Sequence, residues 1–217
     1  MTAESNLVMF DWQVDLDERG AANVLGKTQF KGALATEMRQ ALVYASPDDQ
    51  RHWLETYLAS RCPGVKLDSF YVAGIEPVED PLTINYNFYT ATFALSQNDR
   101  MAFHPAQVLF FNLPDFFRSF EREHPIRFRC GVTEMLKMKI DLPANWHLST
   151  PAWFDSLDSS FGSANWAYAC NGDTLKVYVN RQLNGTEVYP KQYQDFQDFL
   201  DKIKARDLRE IVLTRSE

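Results

Sequence analysis

The sequence holds 217 residues, 45% of them hydrophobic and 24% charged, with a formal net charge of −7. That length fits one large domain or two small ones with a real core, and a composition with 9 Gly and 10 Pro excludes a disordered, collagen-like or low-complexity chain. Acidic balance without a long Lys/Arg run leaves nucleic acid out of the expected partners.

Met1 to Asn6 carries no basic run, and the apolar stretch Leu7 to Phe10 ends at Asp11, so no membrane span is expected there. Val8, Phe10, Trp12, Val14 and Leu16 alternate as one face of a strand. A turn at Asp17-Glu18-Arg19-Gly20 leads into a second strand over residues 22–35, which makes a hairpin. Ser46-Pro47-Asp48-Asp49 starts a helix with an N-cap serine, a proline at the first position and two carboxylates at the positive dipole end. That helix carries Trp53, Tyr57 and Leu58 on one stripe and stops at Cys62-Pro63-Gly64.

Strands are predicted over residues 65–72, 82–93 and 101–111. Phe110, Phe111, Phe116, Phe117 and Phe120 follow as a dense aromatic cluster, with a short helix opened by Pro114-Asp115. From Ile126 the pattern is β again: Leu136, Met138 and Ile140 alternate with Lys137 and Lys139, one face buried and the other solvated. Residues 146–160 show no sustained period and read as irregular. A hairpin joins residues 161–169 and 175–183 through Asn171-Gly172-Asp173, and Pro190 opens a helix with Tyr193, Phe196, Leu200 and Ile203 inward and an Asp198–Lys202 pair outward. Ile211 to Leu213 closes the chain as a strand.

These elements give a mainly β, α+β fold: an antiparallel β-sandwich or a large curved sheet of about nine strands, with two helices at residues 47–61 and 190–205 packed against it. The chain reads as a single β-rich region over 1–217. Charge alone hints at a sub-division into 1–111 and 126–217, since residues 1–110 hold 8 basic and 14 acidic side chains and the remainder 14 and 15.

Cys62, Cys130 and Cys170 are far apart and odd in number, which excludes a complete disulfide framework and a metal knuckle; they read as small core hydrophobes. No nucleophile elbow occurs. His104 and His124 precede prolines, and the four histidines lack metal-ligand spacing. Glu76, Glu79 and Asp80 read as a solvated acidic turn rather than a calcium loop, and Asn184-Gly185-Thr186 as a turn that also fits a glycosylation triplet. No metal, cofactor or catalytic residue is expected. Two groups could bind. Trp146, Trp153, Phe154, Trp166 and Tyr168 lie close enough in sequence to build an aromatic platform for a glycan or peptide. Arg127 and Arg129 would share a strand face and could hold an anionic segment, or simply pair with Glu121 and Glu123.

The order of several motifs resembles one protein group: Gly32-Ala33-Leu34 through Met38-Arg39-Gln40-Ala41-Leu42, Tyr57 through Leu67, Pro81-Leu82-Thr83-Ile84-Asn85-Tyr86, Arg122-Glu123-His124-Pro125-Ile126, Ile140-Asp141-Leu142-Pro143, and Tyr193 through Leu200 to Ile211-Val212-Leu213. Together they resemble the C-terminal, non-catalytic β-rich region of bacterial multidomain transglutaminase-like proteins, whose central domain is of cysteine-peptidase type. The resemblance implies exported or periplasmic relatives with a Cys-His-Asp triad in that central domain. No triad residue carries over to this chain. It therefore implies a non-enzymatic accessory domain with a structural or substrate-presenting role beside a transglutaminase-like catalytic domain, in the same or a neighbouring chain. A carbohydrate- or peptide-binding module using surface aromatics is the first alternative, and a remote cysteine-dependent enzyme the second.

Overall fold

The computed structural model describes residues 6–76, 81–109, 123–185 and 187–216. Its strands are β1 (Leu7–Leu16), β2 (Ala22–Phe30), β3 (Val65–Ala73), β4 (Leu82–Thr90), β5 (Leu95–Gln97), β6 (Arg100–Phe103), β7 (Ile126–Arg127), β8 (Val132–Asp141), β9 (Trp146–Leu148), β10 (Trp153–Ser159), β11 (Gly162–Asn171), β12 (Thr174–Leu183), β13 (Glu187–Val188) and β14 (Ile211–Arg215). The helices are α1 (Ala33–Leu42), α2 (Pro47–Ala59) and α3 (Tyr193–Asp207). Eight strands form one sheet in the order β10-β11-β12-β8-β1-β2-β4-β3; β5-β6-β14-β9 form a second sheet, and β13 pairs with β7. The α+β class follows, with a large sheet and smaller sheets beside it.

Local chemistry accounts for the framework. Asp17 Oδ1 accepts from the backbone N–H groups of Arg19 and Ala21, and Gly20 takes φ 85°, which closes the β1–β2 turn. Ser46 and Asp49 form a reciprocal capping box at the start of α2, as the Ser-Pro-Asp-Asp run predicts. Gly172, at φ 60°, occupies the first position of the two-residue turn between β11 and β12.

Four predicted features come out differently. The second strand stops at Phe30: Gly32 at φ 64° breaks the extended run, and residues 33–42, rich in good helix formers, close into α1 with Ala35, Arg39 and Leu42 inward. Residues 146–160 hold β9 and β10 rather than irregular chain, because β10 is an edge strand whose residues alternate between half-buried and exposed, a weaker signal than buried against exposed. The strand at 101–111 ends at Phe103, and Pro105–Val108 turns as a 3-10 helix after His104. The large sheet is mixed, since β1 lies parallel to β8 at its centre. The phenylalanines from Phe110 to Phe120, the Pro114-Asp115 helix, Glu79 and Asp80 lie outside the described residues.

Among the described residues, the covering elements sit on one side of the sheet. Phe10, Trp12, Val14, Val24, Phe30, Ile84, Tyr86, Leu136, Ile140, Trp166 and Val179 point to that side and are buried. Tyr57 of α2 stacks on Phe10 with ring centroids 6.3 Å apart, and Phe196 of α3 meets Phe161 edge-on at 5.2 Å. Within the core the Tyr86 hydroxyl accepts from Trp12 Nε1 at 2.8 Å and shares a hydrogen bond with Thr28 Oγ1 at 2.7 Å. Burial pushes the Tyr86 phenol up to about 12, so it stays a neutral hydrogen-bonding group. A second buried polar cluster ties α3 to the sheet: Arg181 meets Asp207 at 2.7 Å and Glu134 at 3.7 Å, and Asp207 also accepts from Trp166 Nε1. Desolvation raises the Asp207 carboxyl despite the adjacent guanidinium.

Candidate functional site

Among the described residues, no helix or second sheet covers the other side of the large sheet. Because strand side chains alternate, the residues next to the core positions on the same strands stand on this face. Register places them in rows. Asp11 of β1 lies beside Lys137 of β8, Lys137 beside Tyr178 of β12, Tyr178 beside Ala167 of β11, and Ala167 beside Phe154 of β10. One row along, Lys139 lies beside Lys176, and Lys176 beside Ala169. At strand spacings of about 4.8 Å the first row spans about 19 Å.

These residues line a groove of about 640 Å³. Ala167 and Ala169 form its low floor because a methyl group is all that rises from the sheet there. Phe154, 72% exposed, makes one wall and Tyr178 the other, while Lys137, Lys139 and Lys176 line one side. A second groove of about 590 Å³ shares Asp11 and continues over the other half of the face, lined by Gln13, Leu25, Lys27, Tyr71, Asn85 and Asn87.

The predicted aromatic platform is divided by the alternation. Trp146, Trp166 and Tyr168 are 3%, 2% and 5% exposed and belong to the core; Trp146 sits in the small sheet, and Tyr168 accepts from Arg209 Nε at 3.3 Å. Trp153 is half-buried on the covered side, under the Arg209 guanidinium at 4.4 Å from its ring centroid. Of the five, Phe154 is the one exposed on the open face, and Trp153 and Tyr168 border the groove from beneath. Arg127 and Arg129 are exposed, but their partners are Glu187 at 2.6 Å and Glu37 at 2.9 Å, supplied by other elements rather than by the neighbouring acids; Glu121 lies outside the described residues. Neither arginine lines the groove. Of the groove residues besides Trp153, Phe154 and Tyr168, the sequence marked only Lys137 and Lys139, as a solvated face.

The cysteines sit elsewhere. Cys62 is buried, its thiol pushed up by desolvation. It shares a cavity of about 60 Å³ with His104, a space on the scale of a few water molecules. Desolvation also raises the Cys170 thiol, which donates to the Gly172 carbonyl at 3.1 Å. Among the described residues no cluster of three His, Cys, Asp or Glu side chains could hold a metal ion, and no helix is long and apolar enough to cross a membrane.

An α+β domain with one covered and one open sheet face is the class this geometry defines. Residues 99–213 match DUF3858, a domain of unknown function with a solved structure. That match takes in more than half of the chain, and the chain belongs to this family. No curated protein matches it. Among solved structures it is similar to a crystal structure of a candidate protease from Parabacteroides distasonis, with 15% identity and a TM-score of 0.43. The match covers 54% of this chain and 24% of that one, so the chain spans about a quarter of that structure's length.

Proposed function

We propose that the chain is a non-catalytic accessory domain that holds an extended polypeptide on the open face of its large sheet and presents it to a transglutaminase-like catalytic domain. The observation that carries this reading is the groove between Phe154 and Tyr178: an apolar, methyl-floored trough on a rigid sheet whose opposite face is fully engaged in the core. Such a trough accepts an extended segment one side chain deep, with aromatic walls to grip an apolar residue. The partner domain is drawn from the sequence resemblance. The buried Cys62, with its raised thiol, supports a structural role for that residue, because the nucleophile in cysteine chemistry is the thiolate.

Binding of labelled, reduced and carboxymethylated α-lactalbumin, a permanently unfolded chain, tests the reading. The domain binds it, and Ala167→Arg, which fills the trough from its floor, abolishes binding without lowering the melting temperature. Binding of a neutral oligosaccharide through Phe154 in place of the polypeptide overturns it. So does peptide hydrolysis or amine incorporation by the chain alone that is lost in Cys62→Ala.

A further inference from the structure

We infer that the groove selects acidic extended segments: an apolar residue seated over Ala167 and Ala169, with carboxylates two or more positions away reaching Lys137 and Lys176. This rests on the reading above and specifies the chemistry of the occupant.

The argument starts from charge placement on an acidic protein. The net charge is −7, yet three lysines stand together in two adjacent rows of the groove, with Asp11 as the one acid among its lining residues. Lys139 and Lys176 are direct cross-strand neighbours, an arrangement of like charges that costs stability in a sheet. Lys139 is offset by Asp141 at 3.1 Å. Lys137 and Lys176 form no ion pair among the described residues, and Asp11, although beside Lys137 in register, forms none with it. Elsewhere the arginines Arg51, Arg100, Arg127, Arg129, Arg206 and Arg215 each meet a carboxylate, whereas exposed lysines such as Lys66, Lys202 and Lys204 form no ion pair among the described residues, so the gathering of three lysines beside the trough is what sets the groove apart. Lys137 and Lys176, without an ion pair beside an apolar trough, complement a segment that brings both an apolar anchor and negative charge.

Geometry sets the spacing. In an extended segment alternate side chains face the sheet about 6.7 Å apart. An anchor between Phe154 and Tyr178 therefore places its next sheet-facing neighbours within side-chain reach of the lysine ammonium groups, which are flexible point charges well suited to carboxylates in varied registers.

The test uses the whole chain and three labelled peptides that repeat Leu-Ser-Glu-Ser, Leu-Ser-Gln-Ser or Leu-Ser-Lys-Ser, so that leucine and the tested side chain share one face of the extended segment. The acidic peptide binds about tenfold more tightly than its glutamine counterpart, the sum expected of two exposed ionic contacts. Its advantage shrinks as salt rises, and the lysine peptide is excluded. The double variant Lys137→Glu/Lys176→Glu, checked by its melting temperature, reverses the order of the acidic and basic peptides. Equal binding of the glutamate and glutamine peptides, still abolished by Ala167→Arg, overturns the acidic selectivity and leaves the groove reading standing. Binding of none of the three overturns both.

Discussion

The covered and open faces of the large sheet are made by the same strands one residue out of phase. Trp12 and Asp11, Met138 and Lys137, Val177 and Tyr178, Trp166 and Ala167 are chain neighbours, yet the first of each pair is core and the second lines the groove. The covered face is specified by volume and by hydrogen bonds such as Trp12–Tyr86 and Trp166–Asp207. The open face is specified by what stands across the strands, through pairings that join residues far apart in sequence. A substitution on one face should therefore act on stability, and its neighbour on the other face should act on binding.

The largest effect should come from the covered face. Trp12→Ala empties a fully buried site and leaves the Tyr86 hydroxyl without its indole donor, so about 3–5 kcal/mol of stability is expected to be lost, read from denaturant unfolding. Survival of this variant with unchanged stability would break the contrast between the faces.

A smaller loss is expected at the polar junction between α3 and the sheet. Asp207→Asn removes the carboxylate that meets Arg181 and accepts from Trp166 Nε1, and because desolvation already disfavours that charge in the fold, the loss is expected to stay well below that of Trp12→Ala, read from denaturant unfolding. The same substitution changes the pH response. In the wild type the folded Asp207 carboxyl titrates above its unfolded value. Between those two values the folded state holds a proton that the unfolded chain has released, so this group's contribution is full below the unfolded pKa and declines as pH rises through the folded one. A melting-temperature series upward from about pH 4 should show that decline in the wild type and a flatter profile in the variant; parallel profiles would remove Asp207 as its source.

The smallest stability effect belongs to the open face. Ala167→Arg is expected to shift unfolding by no more than about 0.5 kcal/mol, as for surface changes that touch no core contact. A shift of several kcal/mol would show that the groove is part of the folding core, and the two faces would no longer divide their tasks.

Much of the covered face was legible in the sequence because alternation is strong where one side is fully buried. β1 and the β11–β12 hairpin follow their predicted ranges closely, β8 keeps its alternation but starts at Val132 rather than Ile126, and the capping box foretells α2. Helix α1 was hidden behind β2, with Gly32 as the only local break, and β10 was hidden by its half-exposed edge. The groove was less legible. Lys137 and Lys139 announce a solvated face, but nothing local to them places Lys176, Ala169 and Phe154 alongside; that needs the β8–β12, β12–β11 and β11–β10 registers. The aromatic run from Trp146 to Tyr168 misleads for the same reason. Without the strand phase, Trp166 and Phe154 look equivalent, and only one of them meets solvent.

The most direct measurement is a fluorescence anisotropy titration of the labelled leucine–glutamate peptide with the wild-type chain and with Ala167→Arg, at matched folded fractions. Saturable binding by the wild type and loss of at least about tenfold in affinity in the variant is the expected result. Equal affinity for the two proteins would place the peptide elsewhere and contradict a functional open face.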